Sequence, residues 1–172
     1  SEMCIRDSLL RNPEFSLERL VIYTTRPIRD GELDGREYHF VTEEDFQKLK
    51  AEGKIIEDRG YETVYGLWRY FTADNMNLEE KNYLGIGTLE SYEKLKAYYG
   101  EEKIRPIYIE VEDGERLKRA IAREETQEAP KYEEMCRRFL ADAQDFSEEK
   151  IRQAGISHRF SNMDGAGAVS YT

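Results

Sequence analysis

Thr24-Thr25-Arg26-Pro27-Ile28-Arg29-Asp30-Gly31-Glu32-Leu33-Asp34-Gly35-Arg36-Glu37-Tyr38-His39-Phe40-Val41 is the stretch from which the rest of the chain is read. Pro27 fixes one φ, Gly31 and Gly35 permit turns, and the short polar residues between them favour turns over helix or strand. A long loop between two apolar runs needs something to order it. Arg26 and Arg29 point to an anion, because guanidinium forks hold phosphate oxygens bidentately, and Tyr38 offers a hydroxyl where the chain re-enters a strand. A phosphate fits this loop.

Around that loop lie 172 residues, enough for one domain with a proper core. A mean hydropathy of -0.80 with 36% charged residues predicts a soluble protein, and no apolar run approaches the roughly 18 residues of a membrane span. Twelve Tyr and seven Phe supply apolar surface that disordered chains lack. The net charge of -10 argues against a nucleic-acid binder, whose basic face should dominate the balance. Any phosphate must therefore be held by local arginines against an acidic background. Cys4 and Cys136, far apart, make no disulfide framework, and Ser1 to Ser8 has no apolar signal-peptide core, so a cytoplasmic protein is expected. With only His39 and His158 available, no His-based metal site or catalytic triad is credible, and Cys136 inside a helix reads as packing.

Leu20 to Tyr23 and Tyr38 to Val41 read as strands by β-branched and aromatic content. Thr42 caps a helix through Glu52, with Phe46 and Leu49 on its inner face and Gly53 as its stop. Strand-like runs at 54–59, 63–65 and 68–72, separated by Gly60 and Gly66, predict a small antiparallel sheet. A strand at 83–86, a helix at 89–99, a strand at 104–111 and a helix from Asp113 to about Glu124 follow. Helices at 132–146 and from Ser147 to Ala154, then a strand at 158–161, close the pattern, with residues 165–172 expected as a disordered tail. Strands alternating with helices in the second half predict a parallel sheet with crossover helices, the strands of 38–72 forming an inserted lobe. The fold class is α/β.

Thr-Thr-Arg, two residues, Arg, then Gly-Glu-x-x-Gly-x-x-Tyr-x-Phe resembles the monophosphate-binding loop of guanylate kinases. The similarity continues through Glu57 and Tyr65-Gly66 to the arginine-bearing helices near residues 120 and 138, covering about residues 8 to 164. It implies a P-loop NTPase-like domain over 1–164, a monophosphate-binding lobe at about 25–74 and a short helical lid at about 123–138. The family also begins with a strand and a Gly-x-x-x-x-Gly-Lys-Ser/Thr loop, which nothing in this sequence matches, so a first strand and phosphate loop are expected to be missing.

By that resemblance, Arg26 and Arg29 grip the nucleotide's α-phosphate, Tyr38 and Tyr65 complete the grip, and Glu57 recognises guanine. A carboxylate suits this task because guanine's ring N–H and exocyclic amine point the same way and an ionised carboxylate is acceptor-only. Arg119, Arg123 and Arg138 match the lid arginines that bind ATP phosphates and neutralise charge on the transferring group. Implied partners are GMP and ATP with Mg²⁺, in a monomer or weak homodimer. Each residue also has a plainer reading: Arg26 and Arg29 as loop charges paired with Asp30 and Glu32, Glu57 as an outward strand residue, and the later arginines as a salt-bridged surface. Ile22, Leu67 and Gly85-Ile86-Gly87 depart from the family pattern, each removing a polar partner near the base, so base choice is expected to be relaxed or altered. From the missing phosphate loop, weak GMP binding and slow or no turnover follow as expectations, with a non-catalytic module for phosphate-bearing or phosphopeptide ligands as the alternative and a fragment of an active enzyme as a third reading.

Overall fold

In the computed structural model, which describes residues 2–162 and 169–170, the run Leu20 to Tyr23 is where the chain changes partners. Strand β1 (Leu17–Arg19) pairs parallel with a later strand at Asn82–Leu84, and β2 (Tyr23–Thr24) belongs to another sheet. The expected strand is thus mostly a connection: of Leu20 to Tyr23, only Tyr23 lies in a strand. Leu20 still donates its N–H to the Leu84 carbonyl, whereas the Ile22 carbonyl already accepts from His39. Before this point helix α1 (Glu2–Arg11) takes in residues 2–7, where the sequence shows no readable periodicity.

Strand β3 (His39–Phe40) precedes helix α2 (Glu43–Ala51), which opens on the expected cap. Thr42 Oγ1 accepts from the Asp45 N–H at 3.1 Å while the Asp45 carboxylate accepts from the Thr42 N–H at 3.0 Å. Two donors left over by the first turn are satisfied reciprocally. Thr42→Ala is expected to cost about 1 kcal/mol, measurable by urea unfolding followed at Trp68, the single tryptophan.

Strands β4 (Ile55–Thr63) and β5 (Gly66–Ala73) form a hairpin. Val64 and Tyr65, expected in a strand, are instead the turn, and β4 runs unbroken through Gly60. Gly66 has φ +104°, a conformation that a residue with a Cβ rarely adopts, so it fixes where β5 begins. The four-stranded order is β3-β2-β5-β4, with β2 and β3 parallel and the other pairs antiparallel. A bulge between Ile55 and Glu57 offsets the register, placing Glu57 opposite Thr72.

Strand β6 (Asn82–Leu84), the partner of β1, leads to helix α3 (Leu89–Tyr99). Gly85 lies where an added Cβ would come within 2.9 Å of Leu20 Cδ2, so a larger residue there would require the Leu20 side chain to shift. Strand β7 (Tyr108–Glu110), helices α4 (Asp113–Glu125), α5 (Tyr132–Asp145) and α6 (Glu148–Gln153), and strands β8 (Arg159–Ser161) and β9 (Val169–Ser170) follow. β7 and β8 are parallel, joined by helices as expected, and β9 adds antiparallel to β8. Val169 and Ser170 are the only parts of the expected tail among the described residues.

The chain divides into two compact units: Arg6–Gly87 with Lys94–Ile104, and Thr88–Glu93 with Arg105–Thr172 and Ser1–Ile5. In the first, Phe46 and Leu49 of α2 pack on Phe71, Ala73, Tyr23, Val41 and Ile55. In the second, Ile151, Ala154 and Ile156 gather Leu89, Tyr92, Tyr108 and Phe146. Among the described residues, no helix is long and apolar enough to cross a membrane.

Candidate functional site

The four-stranded sheet sorts its side chains between two faces by simple alternation. Phe71 packs edge-on against Phe46 at 4.9 Å between ring centres, so Phe71 and its partners Tyr23 and Asp58 belong to the face that carries α2. The opposite face takes Thr24, Tyr70 and Thr72, with Glu57, Arg59 and Tyr61 from β4 and Trp68 from β5. Most candidate ligand groups gather on or beside this second face.

Arg26 is 4% exposed and lies at the edge of that face. Its guanidinium takes the Glu32 carboxylate in a two-pronged grip, with Nη1 donating to Oε2 at 2.8 Å and Nη2 donating to Oε1. Nη1 also donates to the Pro27 carbonyl at 2.9 Å. The Tyr38 and Phe40 rings flank it at 5.2 and 5.3 Å, and the Tyr70 hydroxyl adds a further hydrogen bond. The bond to Glu32 raises the arginine's pKa, and the reciprocal bond from Arg26, reinforced by the Arg29 N–H at 2.8 Å, holds Glu32 at about 2. Such a fork is built for a planar or tetrahedral anion, and here a side-chain carboxylate engages it.

The other predicted groups are placed differently. Arg29 has an exposed guanidinium with no hydrogen bond or ion pair among the described residues, its backbone N–H going to Glu32. Tyr65 is 82% exposed at the hairpin turn, its ring stacked on Trp68 at 6.1 Å. Tyr38 contacts Arg26, Phe40 and Tyr70. Glu57 is 5% exposed and not an outward strand residue: Oε1 accepts from Thr72 Oγ1 at 3.1 Å, and Arg59 Nε lies 3.9 Å from Oε2.

Sequence reasoning missed Tyr70, Arg59 and Arg69. Arg69 ties the sheet to the loop's start: its N–H donates to Thr25 Oγ1, its carbonyl accepts from the Thr24 hydroxyl and the Thr25 N–H, and its guanidinium bonds Glu43 at 2.9 Å. The alternation of Trp68-Arg69-Tyr70 was the available signal, but assigning its faces needed the register.

In the second unit Arg119 donates to Glu115 at 2.7 Å and to the Asn162 carbonyl at 3.1 Å. Arg123 is exposed, and its carbonyl accepts from Thr126 Oγ1. Arg138, 70% exposed, donates to Glu134 at 2.9 Å, and Arg137 holds the same carboxylate at 2.6 and 2.7 Å. Bonds from Arg137 first and Arg138 second hold the Glu134 carboxyl at about 2. A cavity of about 660 Å³ in this unit, with Tyr108 and Phe146 in its lining, is lined by none of the predicted site residues. Cys136 is exposed, which corrects its reading as packing. Among the described residues, no three His, Cys, Asp or Glu are grouped to hold a metal.

A family model described as guanylate kinase matches residues 2–150. The chain belongs to the guanylate kinase family. A guanylate kinase from Wolbachia pipientis is 31% identical over 130 residues, covering 75% of this chain and 62% of that protein. A guanylate kinase from Vibrio parahaemolyticus is 40% identical over 78 residues, covering 45% of this chain and 35% of the relative. The chain thus matches between about a third and two thirds of the length of these relatives. The crystal structure of guanylate kinase from Anaplasma phagocytophilum superposes with a TM-score of 0.54 at 23% identity, covering 92% of this chain and 71% of the other. That likeness shows the guanylate kinase fold, a mixed α/β architecture with parallel strands. Membership of the family makes the chain a guanylate kinase-like protein.

Proposed function

We propose that the chain is a guanylate kinase-like phosphotransferase that moves the γ-phosphate of ATP to GMP. The observation that carries this reading is the nearly buried Arg26 fork, flanked by Tyr38 and already engaged by an anion, with the buried Glu57 on the same sheet. In this proposal the GMP phosphate displaces Glu32 from Arg26 and recruits the exposed Arg29, while Tyr38 and Tyr65 supply hydroxyls. Glu57 accepts from the guanine ring N–H and amine. An oxygen of the GMP phosphate then attacks the γ-phosphorus in line, and the bond from that phosphorus to the ADP oxygen breaks. Such transfer needs positioned reactants and positive charge on the migrating group, not an enzyme nucleophile. Arg119, Arg123 and Arg138 are the proposed sources of that charge, and Arg138 would exchange Glu134 for phosphate.

Mg²⁺ would enter with ATP, shielding its phosphates. The described residues offer no carboxylate cluster for it, so no protein ligand is assigned. A cytoplasmic monomer or weak homodimer belongs to the same proposal.

The test is calorimetric titration with GMP of the native chain and of Arg29→Ala. Loss of one charge-assisted contact is expected to weaken binding by about 10-fold or more. Unchanged affinity would overturn the clamp. Binding of a phosphopeptide without any GMP binding would support the non-catalytic module instead.

A further inference from the structure

We propose that Arg59 is a second base-reading residue, donating to guanine O6 while Glu57 accepts from the ring N–H and amine; this rests on the GMP reading above. The two residues are i and i+2 on β4, so they share the face that also carries Tyr70 and Thr72. Their charged ends lie side by side, Arg59 Nε being 3.9 Å from Glu57 Oε2, too far for a hydrogen bond. Arg59 Nε is buried and makes no hydrogen bond, an orphaned donor of the kind that native proteins rarely leave unsatisfied. The Arg59 side chain as a whole is 38% exposed, so part of it is open to solvent and to a ligand.

Guanine presents an amine, a ring N–H and a carbonyl oxygen in sequence along one edge. A carboxylate followed by a guanidinium is the complementary order: acceptors for the first two groups and a donor for the third. Adenine offers its ring nitrogen and amine in the opposite sense, so the pair would reject it.

Calorimetric titrations of GMP and 6-thio-GMP into the native chain, Arg59→Met and Glu57→Gln provide the test. The thio analogue keeps the ring N–H and the amine but replaces O6 with a weak acceptor. The native chain is expected to prefer GMP, and Arg59→Met, which keeps an unbranched stem, to lose about 10-fold in GMP affinity and all of that preference. Glu57→Gln is expected to weaken both ligands while the preference survives. Thermal melting of Arg59→Met checks that the sheet remains folded, and a folded variant that keeps the preference, or binds GMP more tightly, overturns the proposal. Native GMP binding that Glu57→Gln leaves unchanged overturns the base-reading role of Glu57 as well, and no GMP binding by the native chain overturns the function itself.

Discussion

Arg26→Ala is expected to abolish most GMP binding and to free the loop that precedes β3. Truncating one partner of a buried, hydrogen-bonded charge pair costs about 2–5 kcal/mol of binding, or about 30-fold to several thousand-fold in affinity. Arg26 fits that class because it is 4% exposed, with Glu32, the Pro27 carbonyl and two aromatic rings around it. The same substitution should change how stability depends on pH. Arg26 first, and the Arg29 N–H after it, lower the folded-state pKa of Glu32 from an ordinary 4.5 to about 2. A carboxyl lowered in the folded state stabilises the fold above its unfolded value, and that contribution disappears as pH falls through the folded value. The native chain should therefore lose stability between about pH 4.5 and 2, and Arg26→Ala should lose less over that window. Melting temperatures of the two proteins from pH 2 to 5 provide the measurement, and parallel curves would show that the pair does not stabilise the fold.

Glu32 also shows which parts of the site could be read from sequence. Its pairing with Arg26 was open to sequence reasoning, since two opposite charges six residues apart in a turn-rich loop can meet. That this carboxylate fills the fork proposed for the phosphate was not, because it depends on burial. Helix α2 was legible to within a residue: Thr42 and Asp45 specify its start chemically, and Gly53 its end. The strand boundaries were not. Leu20 to Tyr23 is uniformly apolar, and such a run carries no mark of where a chain leaves one sheet for another. Val64-Tyr65 has strong β-propensity, yet Gly66 at positive φ places the turn there. Arg59 and Tyr70 were hidden for a related reason: the bulge at Ile56 shifts the pairing by one residue, and face assignments on both strands depend on it.

Phe46→Ala is expected to destabilise the first unit by about 3–5 kcal/mol, more than any surface change considered above. Phe46 is fully buried, meets Phe71 at 4.9 Å, and lies beneath the Arg69 guanidinium at 4.3 Å from the ring centre. Truncation would leave a cavity between α2 and the sheet. It would also remove the ring beside an arginine whose ion pair with Glu43 links the helix to β5. Because Phe71 and Tyr70 are neighbours on opposite faces of one strand, slack behind Phe71 should reach the ligand face. GMP affinity is therefore expected to fall although Phe46 touches no ligand. Urea unfolding followed by Trp68 fluorescence reports this sheet, and Phe46→Leu, which refills most of the space, should recover most of the loss in both stability and affinity. A midpoint for Phe46→Ala equal to that of Thr42→Ala would mean that α2 is held to the sheet by something other than its aromatic core.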